Sequence, residues 1–364
     1  MAGLFDSFTI RGVRLRNRIA VSPMCEYSST DGFAGDWHLV HLGSRAVGRA
    51  ALVLTEAIAV TADGRISPAD LGIYRDEHVE ALARIVRFCE GQGAVMGTQL
   101  AHAGRKASTA PPWLGGGPVA EADGGWRPIH APSPLAFSAS SIVPKELDEA
   151  GIAEIVAAFA AGAKRSAAAG FRVIELHGAH GYLIHEFLSP ISNRRTDRYG
   201  GSFANRTRFL REVVDAVRVV WPERNPLFVR LSATDWVPQG WDIEECIELA
   251  RSLREHGVDL IDVSSGGTVA DAKIPVGPGY QVPFAEPIRR EAGIATGAVG
   301  MITEPHQAQT IVANGQADIV LLARELLRDP YWPMHAAQAL GVELEWPNQY
   351  LRAKPRLPQL TGSR

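Results

Sequence analysis

Eight short apolar runs, most of them followed by a helical pattern, recur along this chain and leave few folds open to it. They are RIAVSPM (18–24), ALVLTEA (51–57), VMGTQLA (95–101), VIELHGA (173–179), LFVRLSA (227–233), LIDVSSG (260–266), IATGAVG (294–300) and DIVLLAR (318–324). The runs are continuous more than alternating, the pattern of parallel strands covered on both faces. Helical spacing fills the gaps. From Asp76 to Glu90, Val79, Leu82, Ala83, Val86 and Cys89 share a face, and Gly91 stands as a stop. A helix capped by Ser202 carries Phe209, Leu210, Val213, Val217 and Trp221 and ends at Pro222. Asp242 and Glu245 form a D-x-x-E cap, and Gly257 closes that helix. Thr303-Glu-Pro and Asp329-Pro mark two further starts, the second with proline in the first helical position. Eight such units predict a (β/α)8 barrel. A doubly wound sheet is the competing architecture, but no G-x-G-x-x-G follows the first strand.

With 364 residues and an apolar fraction of 46%, the chain suits one such barrel, residues 1–364, with a sizeable core. A long insertion follows the third strand, at about 102–147; it holds PPWLGGGP and is expected to pass over the barrel mouth. A proline- and arginine-rich tail occupies 346–364. The net charge of −3 argues against a nucleic-acid footprint, and no apolar run is long enough to cross a membrane. The N-terminus lacks the pattern of a signal peptide. Three distant cysteines (25, 89, 246) form neither a disulfide framework nor a zinc module. A cytoplasmic enzyme is expected.

In a barrel the C-terminal ends of the strands make the active face. Those ends offer Pro23-Met24-Cys25, Glu56-Ala57, Gln99, His177, Arg230, Ser264 to Gly267, Gly300 and Ala323-Arg324. Arg230 inside LFVRLSA demands an anionic partner, because a buried charge is costly alone. Cys25 has the alternative of an ordinary core cysteine. Gln99 has that of satisfying nearby backbone, and Arg324 that of a surface ion pair as readily as a phosphate ligand. The richest segment is ELHGAHGYLIHEFLSP (175–190), where His177, His180, Tyr182 and His185 cluster around two glycines. His-x-x-His with His185 and Glu186 would suit a metal-dependent hydrolase or lyase. A polarising imidazole pair with a tyrosine acid needs no ligand from other strands, and no metal is expected.

The blocks LRNRIAVSPMCEYSS, QLAHAGRKAS, IELHGAHGYLIHEFLSPISNRRTDRYGGSFANRTRF, VRLSATDW, AVGMIT and LARELLRDPYW resemble the old yellow enzyme family of FMN-dependent ene-reductases. The likeness is to the short bacterial branch that includes YqjM-type enzymes and xenobiotic reductases. It spans nearly the whole chain and implies a TIM barrel with an N-terminal hairpin. It also implies one tightly, non-covalently bound FMN and NADPH (or NADH) as reductant. By matched position, Ser22, Pro23, Met24, Cys25 and Ala57 line the flavin, and Gln99 meets its pyrimidine edge. Arg230 sits by N1 and O2, and Gly300, Ala323 and Arg324 hold the phosphate. Where Ala323 stands the family usually has glycine. The resemblance makes His177 and His180 the substrate-binding pair, Tyr182 the proton donor and Cys25 a modulator of flavin potential. Tyr27 and Lys106 fall on substrate-site positions. Arg352, in NQYLR, matches an arginine that enters a neighbouring subunit's site, which implies a homodimer or homotetramer. The implied reaction is ping-pong reduction of the activated C=C bond of α,β-unsaturated carbonyls, imides or nitroalkenes.

Overall fold

Parallel strands buried on both faces and each followed by a helix can close into a ring, and this chain closes. The computed structural model, which describes residues 2–355, has eight parallel strands. They are β1 Ile19–Val21, β2 Leu52–Ala59, β3 Val95–Ala101, β4 Val173–Gly178, β5 Leu227–Ser232, β6 Leu260–Ser264, β7 Ala295–Ala298 and β8 Ile319–Leu322. Each pairs with its successor, and β8 returns to β1 with Leu322 opposite Val21. That closure rules out the doubly wound sheet. Around the strands run α1 Asp36–Val47, α2 His78–Gly91, α3 Glu149–Ala169, α4 Arg208–Val220, α5 Ile243–Glu255, α6 Val282–Ala292, α7 Pro305–Ala313 and α8 Trp332–Ala339. No helix among the described residues is long and apolar enough to cross a membrane.

Successive strand residues face opposite sides, and here the two sides do different work. Ile174, Leu176, Val229, Leu231, Ile261 and Val263 pack outward with Phe159 of α3, Phe209 and Val213 of α4 and Leu249 of α5. Inward, Leu52, Leu54, Val173, Phe228, Leu260, Ile319 and Leu321 form a second cluster. Ile10, Val13 and Leu15 join it from the hairpin Phe8–Ile10/Val13–Leu15, so the hairpin plugs the N-terminal end of the barrel. Phe228 is fully buried there, and Phe228→Ala would remove about 3–5 kcal/mol of packing. Two residues further along the same faces stand Glu175, Arg230 and Asp262, all buried. The strands are therefore apolar inside only in their lower half. The apolar lining ends where the site begins, as the polar strand ends in the sequence suggested.

Helix ends depart from expectation in three places. Gly91 lies in the last turn of α2, and Gln92 caps it. The single helix expected from Ser202 is broken at Thr207 into Phe203–Arg206 and α4, with Ser202 Oγ accepting from Asn205 N at 3.3 Å. The helix expected at Asp329-Pro begins instead at Trp332, because the Asp329 carboxylate accepts from Tyr331 N (3.0 Å) and holds a turn before it. Asp242 does cap α5, accepting from Glu245 N at 3.0 Å. Glu245 does not return to the cap but pairs with Arg206. The insertion is ordered: three short 3-10 turns and the pair His130–Ala131/Lys145–Glu146 bring Trp126, Ile129 and Ile142 onto Ala103 and Ala107, beside Tyr182. Of the tail, Asn348–Ala353 is a 3-10 helix, and 356–364 lie outside the described residues.

Candidate active site

The turn after β4 places the imidazoles. His180 and Gly181 both have left-handed backbone, at φ +61° and +70°. At Gly181 a Cβ would lie 2.2 Å from the Gly267 carbonyl oxygen, so only glycine fits. His180 has no such freedom and is held by bonds: its N–H donates to Ser232 Oγ (3.0 Å), and its carbonyl accepts from Lys106 Nζ (2.8 Å). Non-glycine residues keep such angles only where surroundings enforce them.

The result is a pair of facing nitrogens, His177 Nε2 and His180 Nδ1, 3.4 Å apart. Their tautomers follow from the outer bonds. His177 Nδ1 accepts from Ala179 N (3.3 Å), which leaves the proton on Nε2. His180 Nε2 lies 2.6 Å from Ser264 Oγ, which also stands 3.5 Å from Gln281 Oε1; with the single hydroxyl proton given to His180 Nε2, the His180 proton sits on Nδ1. Burial, reinforced by Arg230, pushes both imidazoles well below their ordinary value of 6.5, so both are neutral. Tyr182 packs edge-on against His177, ring centroids 4.9 Å apart. Burial first, then the surroundings of Cys25, Tyr27 and Asp70, push its hydroxyl well above 10, so it stays protonated.

Arg230 finds its anion in Asp262 on β6, Nε to Oδ2 3.1 Å, an ion-pair contact that is not an aligned hydrogen bond. It also donates to Ser22 Oγ at 3.2 Å. Gln99 Nε2 donates to Glu175 Oε1 at 2.8 Å. Ala57 is in register with Gln99, and His177 with Arg230. Ser22 N donates to the Leu322 carbonyl, which brings the β1 end beside Ala323. The expected flavin-site residues thus form one ring around the barrel mouth.

Between β6, β7 and β8 a cavity of about 270 Å³ is lined by Arg230, Ser264, Gln281, Gly300, Ala323, Arg324 and Arg328. Gly300 has φ +122°, and a Cβ there would meet Gln281 Nε2 at 2.9 Å and the Tyr280 ring at 3.0 Å. Ala323 has φ −104°, outside the left-handed region that demands glycine, so alanine stands where the family usually has glycine. Arg324 makes no ion pair among the described residues, whereas Arg328 is paired with Glu325. A cationic recess that excludes a side chain at Gly300 suits a phosphate.

On the opposite side Pro23, Met24 and Cys25 are partly exposed. The Cys25 thiol is nevertheless pushed well above 9.0, by burial first and then by Asp70 and Glu56, so it is a thiol and not a thiolate nucleophile. Tyr27, left-handed at φ +47°, stacks edge-on with Trp113 of the insertion, centroids 5.5 Å apart. Glu56 accepts from Glu26 N (3.3 Å) and contacts His38 Nε2 (3.2 Å), which ties this segment to α1. Lys106 was expected to face substrate, yet its ammonium bonds the carbonyls of His180 and Gly267 (2.8 and 2.5 Å), locking two loops together. It lies 5.6 Å from the Tyr182 ring centroid. Arg352 is exposed on a segment that docks on α8 through Tyr350 and Tyr331.

His185 and Glu186, the other polar members of the 175–190 segment, are structural. His185 contacts Asp235 (3.2 Å) and accepts from Gly181 N (2.9 Å), while Glu186 accepts from Arg105 N (2.8 Å). Among the described residues no three His, Cys, Asp or Glu side chains converge as metal ligands. Sequence reasoning missed Glu175 and Asp262. Their signal was parity: each shares the inward face of its strand with a recognised site residue.

The sequence matches the family described as NADH:flavin oxidoreductase / NADH oxidase over residues 3–343. It is 54% identical over 351 residues to an NADPH dehydrogenase of Geobacillus sp. (strain WCH70), covering 96% of this chain and 98% of the relative. An NADPH dehydrogenase of Bacillus subtilis (strain 168) is 50% identical over the same shares. Among solved structures, morphinone reductase aligns with a TM-score of 0.78 at 26% identity, over 95% of this chain and 91% of its own. A 2-naphthoyl-CoA reductase aligns at 0.83 and 25% identity, over 93% of this chain and 52% of its own.

Proposed function

The chain belongs to the NADH:flavin oxidoreductase / NADH oxidase family, the old yellow enzymes, and from that premise we propose that it is an FMN-dependent, NADPH-oxidising reductase of activated C=C bonds. The observation that carries this reading is the pair of neutral imidazoles, ring nitrogens 3.4 Å apart, with a protonated tyrosine beside them. FMN fits the ring of residues: Gln99 toward the pyrimidine edge, Arg230 toward N1 and O2, and the recess of Gly300, Ala323 and Arg324 toward the phosphate. Ser22, Pro23, Met24, Cys25 and Ala57 line its remaining contacts. When bound, the flavin supplies a hydride first received from the nicotinamide.

The protein's own groups do the rest. His177 Nε2–H and His180 Nδ1–H donate to one electron-withdrawing oxygen of an enone, imide or nitroalkene, which makes the β-carbon electrophilic. Being neutral, they polarise without surrendering a proton. Tyr182, whose hydroxyl donates to no described residue, protonates the α-carbon. Arg230 balances negative charge at the pyrimidine edge, and the Asp262 contact fixes where that charge sits. Lys106 acts on substrate indirectly, by holding the His180 turn. Tyr27 and the Cys25 thiol border the substrate face.

Arg352 completes a neighbouring subunit's site in a dimer or tetramer. Support comes from its exposure and from Tyr350 and Leu351 exposed beside it. The purified protein should be yellow, release FMN on denaturation and oxidise NADPH faster when an enone is added without oxygen. A colourless preparation with stoichiometric zinc would overturn the reading.

A further inference from the structure

Beneath the ring of flavin-facing residues lies a buried polar layer whose acids have no stated task. It contains one cation, Arg230, and two carboxyls, Glu175 and Asp262, all under 10% exposed. Asp262 stands against Arg230 at 3.1 Å. Glu175 has no cation of its own. Burial first, with the Asp262 charge adding, pushes its carboxyl up, while Arg230 and the hydrogen bond from Gln99 Nε2 oppose that rise by favouring the acceptor form. Its Oε1 accepts from Gln99 Nε2 at 2.8 Å, and its Oε2 has no partner among the described residues.

A glutamine amide has two unlike ends. Left to itself, Gln99 can turn either its carbonyl or its NH2 toward the barrel mouth. The two choices recognise different things, because the flavin's pyrimidine edge carries an N–H donor at N3 between two carbonyl acceptors. With Nε2 committed to Glu175, Oε1 is the end left for the mouth, where it meets a donor. We propose that Glu175 is the positioning residue that fixes which end of the Gln99 amide faces the flavin. Glu175 and Gln99 stand in register on adjacent strands β4 and β3, so the contact is built into the barrel rather than carried by a loop. The inference rests on the FMN reading above.

The test is a double-substitution cycle on deflavinated protein, titrated with FMN and read by quenching of flavin fluorescence, with circular dichroism confirming the fold. Glu175→Met keeps the length of the side chain but removes the acceptor. It should weaken FMN binding about tenfold, the scale of one well-aligned hydrogen bond. Gln99→Leu should cost about the same, and the double variant should be no weaker than Gln99→Leu alone, because Glu175 acts only through Gln99. Glu175→Gln offers a carbonyl in the same place and should stay within about threefold of wild type. A Glu175→Met protein within twofold of wild type, or losses that multiply in the double variant, would overturn the proposal. So would Glu175→Gln binding as poorly as Glu175→Met, which would make charge and not the hydrogen bond the cause. Should the Met variant fail to fold, the Gln variant decides alone by the threefold limit. A wild-type protein that binds no FMN sinks the functional reading and this inference with it; wild-type binding unchanged by Glu175 substitution sinks this inference only.

Discussion

Tyr182→Phe separates chemistry from structure at this site. The Tyr182 hydroxyl donates to no described residue, so its removal strands no buried acceptor. Phenylalanine keeps the edge-on contact with His177, 4.9 Å between centroids, and the Lys106 ammonium 5.6 Å from the ring centroid. The fold should change by less than about 0.5 kcal/mol. The chemical loss is far larger. A positioned general acid contributes about 10²–10⁴ in rate, or roughly 2.7–5.4 kcal/mol of barrier. That loss belongs only to the half-reaction in which carbon is protonated. Anaerobic stopped-flow should show flavin reduction by NADPH unchanged, and re-oxidation by an enone slowed by two to four decades. The pH dependence follows from the same site. A tyrosine acid is lost only as pH rises through its pKa, and burial holds this one well above 10. Burial holds the imidazoles well below 6.5, so they are neutral at pH 7 and above. Neither group should therefore bend the wild-type re-oxidation rate between about pH 7 and 9. Equal losses in both half-reactions, or a thermal midpoint that falls along with the rate, would refute Tyr182 as the proton donor.

Gly181→Ala should destabilise the protein by about 2–5 kcal/mol, from the left-handed angle and a Cβ forced against the Gly267 carbonyl. A thermal midpoint equal to wild type would contradict the turn geometry. His177→Ala and His180→Ala should each weaken a phenolic ligand up to about tenfold, followed by the long-wavelength charge-transfer band of the ligand stacked on flavin. A band of unchanged intensity and midpoint in both variants would mean the imidazoles do not hold the oxygen. For Arg352, subunits bearing Tyr182→Phe are mixed with subunits bearing Arg352→Ala, each impaired alone. Recovered turnover is expected, because one site in the mixed oligomer then combines a good Tyr182 with the partner's arginine. No recovery in verified mixed oligomers would assign Arg352 to its own subunit or to none.

By itself the sequence determined the barrel and the list of groups at its mouth. Eight apolar runs with helices between them have few ways to bury both faces of every strand, and a strand's C-terminal end is a position that can be counted along the chain. His177, His180, Tyr182, Gln99 and Arg230 were visible for that reason, and the strands all lie where their apolar runs predicted. The turn before Trp332 was not legible, because it depends on the Asp329 carboxylate reaching a free backbone amide, and the break at Thr207 left no mark in the apolar spacing. What only tertiary structure decided is how the groups are paired. Arg230 and Asp262 are 32 residues apart, Gln99 and Glu175 are 76 apart, and His180 meets Ser264 from 84 residues away. Barrel closure and register choose those partners, and the partners choose the charge of each acid, the tautomer of each imidazole and the free end of the Gln99 amide. The same fact explains how Lys106, on a substrate-site position by resemblance, also comes to hold two loops. A side chain's type can be read from its letter, but its protonation and direction are set by neighbours that burial brings within about 3 Å, where desolvation makes an unpaired polar group too costly to keep.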